Sequence, residues 1–216
     1  MDHARDHFHT GVYFQKIKAL MKSIAFFDFD GTITYSDTLL QFIKFAKGKA
    51  GFYTGFLLNS PYLISYKIKL IPNQLAKEKV LQYFFRNMSE EDFSLLCDRF
   101  SDQVLPALVR PKAIEEIKKH QQNGTEVVVV SASPENWILK WANANLITVI
   151  SSQLEIKENR LTGKLSCANC YGEEKVRRIK EKYQLSDYDE IFAYGDTSGD
   201  LPMLNLATKA FFKPFR

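Results

Sequence analysis

The tightest constraint on this chain is the segment Ser23 to Phe29, S-I-A-F-F-D-F, an apolar run that ends in acid and continues into Asp30 and Gly31. A run of that length without polar alternation is the pattern of a strand buried on both faces, and such strands belong to parallel sheets covered by helices on each side. The rest of the chain repeats the theme. An amphipathic segment from Pro111 to Gln122 carries Ala113, Ile114 and Ile117 on one face, stops at Asn123-Gly124 and leads into a second apolar strand, Glu126 to Val130. A helix over Trp137 to Asn145, a strand over Thr148 to Ser151, a helix over Glu173 to Tyr183 and a strand over Glu190 to Tyr194 follow in alternation. The expected fold is α/β, with a mostly parallel sheet between helices.

The region between the first two strands, 37–104, breaks this rhythm. It is rich in Phe, Tyr, Leu and Lys, poor in β-type runs, and includes Ser89 as an N-cap before Glu90, Glu91 and Asp92. It is expected to be a helical cap inserted into a core made of 22–36 and 105–216. Residues 1–21, with His3, His7 and His9, are set aside as an N-terminal arm or extension.

Composition narrows the function classes. With 216 residues, 45% of them hydrophobic, the chain is long enough to bury a full core. Its net charge of +4 comes from 29 basic and 25 acidic residues with no long basic run, so nucleic acid is not an expected partner. The most apolar stretch, Gly51 to Ile71, is interrupted by Asn59, Pro61, Lys67 and Lys69, so no transmembrane segment is expected. Three cysteines, an odd number, and the lack of a secretory leader point to the cytoplasm.

Three of the expected strands end in polar residues: Asp28-Phe29-Asp30-Gly31-Thr32, Ser131-Ala132-Ser133 and Gly195-Asp196-Thr197-Ser198-Gly199-Asp200. The carboxyl ends of parallel strands open onto the ligand crevice of such sheets. Asp28, Asp30, Asp196 and Asp200 would therefore meet there, at a cost of several kcal/mol unless a cation neutralised them. All-oxygen ligands favour a hard ion, and Mg2+ is the usual one beside phosphate. Taken singly, the same residues have plainer roles. Asp30-Gly31 makes a turn, Ser131 caps a strand end, and Lys175 is one charge on a solvated helix.

In order and spacing, D-F-D-G-T at Asp28 to Thr32, V-V-V-V-S-A-S around Ser131, G-E-E-K-V around Lys175 and G-D-T-S-G-D at Gly195 to Asp200 resemble the haloacid dehalogenase superfamily, in its phosphoserine-phosphatase-like branch. The resemblance runs from Lys22 to about Pro214 and implies a Rossmann-like three-layer core with a helical cap after the first motif. It implies a phosphatase acting on a small phosphorylated metabolite, with Asp28 as nucleophile and Asp30 as general acid and base. Mg2+ would be held by Asp28, the Asp30 carbonyl and Asp196, with Asp200 behind a bound water. Ser131, Ala132, Gly31 and Lys175 would meet the phosphoryl group. Asp37 lies where the phosphoserine enzymes place a glutamate that meets the substrate amine, so phosphoserine, phosphoethanolamine and phosphocholine are the expected kinds of substrate. An N-cap for the following helix, Thr38 to Lys47, is the other role open to Asp37. Arg86, in the cap, is a candidate for a substrate carboxylate. The chain departs from the phosphoserine enzymes at Gly31, where serine is common, and at Gly199, where asparagine is common. Competing functions are a phosphotransferase using the same aspartate, a lipid-head-group phosphatase or binding protein, and a phospho-acceptor signalling domain. Oligomeric state is not legible.

Overall fold

The computed structural model describes residues 22–216, so the expected arm at 1–21 lies outside the described residues. Five parallel strands form the main sheet in the order β3-β2-β1-β6-β7: β1 is Ser23–Phe27, β2 Glu126–Pro134, β3 Thr148–Ser152, β6 Glu190–Gly195 and β7 Lys209–Phe212. β1 is central, its Phe27 in register with Val129 of β2 on one side and Tyr194 of β6 on the other.

The alternation along β1 explains both covered faces. Ile24 and Phe26 pack with Val128, Val130 and Ile179 on one side, the last from helix α7 (Glu173–Lys182). Ala25 and Phe27 pack with Val127, Val129, Ala113 and Ile117 on the other, the last two from helix α5 (Pro111–Gln122). Helix α6 (Leu139–Ala144) and the short α8 (Leu201–Leu204) complete the layers. The expected strand Glu126 to Val130 runs on to Pro134, carrying Ser131 and Ser133 within the strand.

Between β1 and α5 stand the helices α1 (Thr38–Lys67), α2 (Asn73–Phe85), α3 (Glu90–Gln103) and α4 (Leu105–Leu108). The helix expected to end at Lys47 does break there, at Gly48 with φ 69°, but resumes and continues to Lys67. Ser89 caps α3 as expected, accepting from the Asp92 amide at 3.1 Å. Entry and exit of this insertion run side by side. The Tyr35 amide donates to the Leu108 carbonyl at 2.8 Å and the Arg110 amide to the Ile33 carbonyl at 2.8 Å, with the Arg110 guanidinium over the Tyr35 ring. Phe42 of α1 stacks on Trp137 with centroids 4.6 Å apart, tying the insertion's base to the core.

A hairpin within the range expected for the core packs on the insertion instead. Its strands are β4 (Leu154–Lys157) and β5 (Arg160–Leu165). Leu161 exchanges backbone bonds with 87–88 beyond α2, accepting from the Asn87 amide at 2.9 Å and donating to the Met88 carbonyl at 3.0 Å.

Candidate active site

The sheet's strand order reverses direction at β1, which makes its carboxyl end the natural crevice. Asp28 sits there, 7% exposed, its amide held by the Tyr194 carbonyl at 2.9 Å. The chain then turns tightly through Phe29–Ile33, with Gly31 at φ 84°. A Cβ on Gly31 would lie 2.6 Å from Asp196 Oδ2, so the serine of the phosphoserine enzymes has no room here.

Lys175 enters from the first turn of α7, its side chain 1% exposed. The ammonium donates to Asp28 Oδ1 at 2.6 Å and to Asp200 Oδ1 at 2.7 Å. Burial works against its charge, yet Asp28 and Asp200 outweigh burial and hold its pKa above the usual lysine value. One ammonium shared between two carboxylates leaves Asp28 under-compensated. Burial pushes its carboxyl up to about 7, against the pull of Lys175. Asp200 is also desolvated, but Lys175 and the donors of Thr197 hold it below the usual range. Its Oδ2 accepts from the Asp196 amide at 3.1 Å and from the Thr197 amide and hydroxyl, both at 2.9 Å.

Asp28, Asp196 and Asp200 each offer a buried carboxylate oxygen, all within 4.8 Å of one another. Thr32 Oγ1 bridges two of them, 3.1 Å from Asp28 Oδ2 and 3.4 Å from Asp196 Oδ1. A cationic group already seeks this cluster, since the Arg216 guanidinium pairs with Asp196 Oδ2. An all-oxygen set with this excess of negative charge fits a hard divalent cation. Asp200, with both oxygens engaged by protein donors, suits a supporting place.

Asp30 stands apart from the three. Its Oδ1 accepts from both the amide and the hydroxyl of Thr38 at 2.6 Å, and its Oδ2 from the Ser133 hydroxyl at 2.5 Å. Trp137 Nε1 fixes the Thr38 hydroxyl at 3.1 Å, so the indole that anchors the insertion also orients Asp30.

These groups face a cavity of about 170 Å³, lined by Asp28, Asp30, Lys175, Asp200 and Thr197 from the core side and by Asp37, Asn73 and Lys77 from the insertion, with Ala132 and Tyr171 completing it. Asp37 holds the N-cap place open to it and also borders the cavity. It caps α1 by accepting from the Leu40 amide at 3.2 Å, and its carboxyl lines the cavity, where burial and then the Asp30 charge push it up to about 6. Ser131 is fully buried at the end of β2, its Oγ accepting from the Ser133 amide at 3.0 Å and not lining the cavity. Arg86 is also absent from the lining, lying exposed at the C-terminal end of α2. The cation that α2 does supply is Lys77, whose ammonium donates to the Ala132 carbonyl and to Asn169 Oδ1, each at 2.9 Å. Burial draws its pKa down, opposed by Asp30 and Asp37.

Lys77, Asn73, Asn169, Tyr171 and Thr38 carried no functional signal in the sequence. Ser133 and Thr197 did, as polar residues at strand ends. Tyr171 accounts for the second departure from the phosphoserine enzymes, because a Cβ on Gly199 would fall 2.1 Å from its ring. The aromatic ring thus occupies the space where an asparagine side chain would stand.

The family model for haloacid dehalogenase-like hydrolases matches residues 25–205, from the middle of β1 to just past α8. The chain belongs to that family. Its match takes in all four motifs and the insertion. Protein CicA of Caulobacter vibrioides is 32% identical over 194 residues, covering 88% of this chain and 85% of CicA. A protein of unknown function from Bordetella pertussis has the same fold, with a TM-score of 0.78 at 22% identity over 88% of this chain and 89% of that one. A substrate-bound phosphoserine phosphatase superposes with a TM-score of 0.60 at 18% identity, over 88% and 85% of the two chains, and so shares the fold.

Proposed function

We propose that this hydrolase is a Mg2+-dependent phosphomonoesterase that passes the phosphoryl group through Asp28, acting on a small amine-bearing phosphorylated metabolite in the cytoplasm. The observation that carries the proposal is the placement of Asp28, buried on the floor of a small cavity with the Lys175 ammonium on one oxygen and Asp30 on the cavity wall.

In the first half-reaction a carboxylate oxygen of Asp28 attacks phosphorus, an acyl phosphate bond forms, and the bond from phosphorus to the substrate oxygen breaks. Asp30 gives its proton to that departing oxygen, exchanging its contact with the Ser133 hydroxyl for the leaving group. Water then attacks phosphorus, Asp30 takes the proton of that water, and the acyl phosphate bond breaks to release inorganic phosphate and Asp28. Lys175 offsets charge on Asp28 and on the oxygens of the group in flight, while Ser131 holds the irregular end of β2 that presents Ala132. Mg2+ would be held by Asp28, the Asp30 carbonyl and Asp196, with Asp200 in support, and would supply positive charge that lowers the repulsion between a carboxylate and a phosphate dianion. Gly31 leaves the space this arrangement needs.

On the leaving-group side, the carboxyl of Asp37 meets an ammonium, and Lys77 takes the place expected of Arg86. The pair suits phosphoserine better than phosphocholine. The decisive experiment incubates purified protein with Mg2+ and an aryl phosphate, then with phosphoserine, phosphoethanolamine and phosphocholine. Phosphate is expected without any added acceptor, is lost on chelation, and falls by about 10⁴-fold in Asp28→Asn with the circular-dichroism spectrum unchanged. Full activity in Asp28→Asn overturns the mechanism, and phosphate release only with an added alcohol assigns a phosphotransferase.

A further inference from the structure

The distal half of α1 is apolar on the side that no other element among the described residues covers. One side packs on α2, where the Gly55 backbone lies against the Phe84 ring and Asn59 is buried. The other side presents Tyr53, Leu57, Ile64 and Ile68, spaced by four, seven and four residues and so stacked along one stripe, with Leu58 beside them. Leu57 is 72% exposed, and Leu70, just beyond the helix, is 73% exposed. A helix that is apolar all round is ordinarily buried in a core or in lipid, and single exposed leucines need no explanation, but a contiguous face does.

The charge around this face has one sign. From Thr38 to Lys77 the chain holds six lysines and no aspartate, glutamate or arginine. Lys67 and Lys69 flank the stripe at its outer end, both exposed. A second copy of the same face would bring these lysines against their own kind, whereas an anionic lipid surface answers both the charge and the apolar stripe. α1 breaks at Gly48, and no helix among the described residues is long and apolar enough to cross a membrane. Against a bilayer it would therefore lie along the surface and not span it. The tyrosines Tyr53, Tyr62 and Tyr66 are suited to the level of the head groups.

We propose that the outer half of α1 and the turn through Leu70 form a docking surface for an anionic lipid bilayer. The surface adjoins the cavity through one hydrogen bond, Asn73 Nδ2 donating to the Tyr66 hydroxyl at 3.0 Å, and Asn73 lines the cavity. A bound bilayer thus sits next to the insertion's wall of the active site.

The test is flotation of the full chain with vesicles of phosphatidylcholine containing about one third phosphatidylglycerol, and with phosphatidylcholine alone. The protein is expected to float with the anionic vesicles and to be released by salt. Leu57→Glu/Ile64→Glu weakens binding at least about tenfold while leaving aryl phosphate hydrolysis and thermal midpoint unchanged. Lys67→Ala/Lys69→Ala weakens it by about fivefold per lysine. Failure of the wild-type chain to float, equal flotation of Leu57→Glu/Ile64→Glu, or a dimer that this variant dissociates would each overturn the proposal, the last by assigning the face to self-association. No substrate enters the flotation experiment, so its outcome and that of the phosphatase assay stand independently.

Discussion

The two ends of the molecule treat burial in opposite ways. At the carboxyl ends of β1 and β6, four charged side chains, those of Asp28, Asp196, Asp200 and Lys175, are withdrawn from water and answered by partners at hydrogen-bond distance. Along the outer half of α1, leucine, isoleucine and tyrosine side chains that would gain from burial are left in solvent. Each arrangement costs free energy in isolation. The first is held in place by the sheet beneath it, so its return has to be sought in chemistry at fixed geometry. The second is held by nothing on its outer side among the described residues, and the proposed bilayer would supply the surface that covers it.

The sharpest way to break this contrast is to remove the central charge of the first region. Lys175→Met keeps the volume of the side chain but leaves Asp28 and Asp200 facing each other without their shared ammonium. A loss of about 3–5 kcal/mol in denaturant unfolding is expected, together with about a thousandfold loss of phosphatase activity. If the carboxylate cluster is neutralised mainly by bound cation, Mg2+ will restore most of the stability of this variant but not its activity. A variant as stable as the parent without metal would show that the buried charges are not interdependent.

A second comparison sets the base of the insertion against its tip. Phe42 is fully buried, stacked on Trp137 and edge-on to Phe93 and Phe100, so Phe42→Ala should cost about 3–5 kcal/mol. Leu57→Ala, on the same helix beyond Gly48, should stay within about 0.5 kcal/mol. Equal costs would mean that the tip is packed in solution and would remove the contrast.

This contrast also separates what the sequence discloses from what it hides. Asp28, Asp30, Asp196 and Asp200 were legible because a parallel strand places the residue after its last apolar position at the crevice, and that rule needs no tertiary knowledge. Lys175 was legible only through its distance from the other motifs. Lys77 was not, because a lysine in a helix that also holds Lys79 has no local signature, and only the packing of α2 over β2 brings it to Ala132. Arg86 attracted attention as an arginine, yet nine residues beyond Lys77 on α2 it has left the cavity behind. The β4–β5 hairpin does alternate, with Leu154, Leu161 and Leu165 buried in the cluster it shares with the insertion. Its turn, however, uses Glu158 and Asn159 at φ 51° and 58° without a glycine to mark it.

Gly199 tests how far the departure from the phosphoserine enzymes is built into the packing. Gly199→Asn should destabilise by about 1–3 kcal/mol, because the new side chain must displace the Tyr171 ring. In Tyr171→Ala the same substitution should cost much less, and the double-mutant cycle reads the difference as a coupling between the two positions. Additive effects would mean that the ring moves aside freely and that the cavity wall it forms is adjustable.

The smallest expected effect lies on the far side of β6, where a third kind of buried polar group shows what the site would look like without function. His120 is 5% exposed, its Nε2 2.8 Å from the Tyr194 hydroxyl, which donates in turn to Glu116 Oε1 at 3.0 Å. Burial lowers its pKa below the ordinary 6.5, with Glu116 opposing. The unfolded chain therefore takes up a proton at a higher pH than the folded one does, and by linkage stability falls as pH drops through 6.5 toward the folded value. Above 6.5 both states are neutral at this ring and the contribution is constant. A loss of less than about 1 kcal/mol is expected across that window, read as the difference in thermal midpoint between the parent and His120→Gln from about pH 8 to about pH 5. The two curves should converge as pH falls. Parallel curves would show that the imidazole titrates alike in the folded and unfolded chain, with Glu116 cancelling the effect of burial.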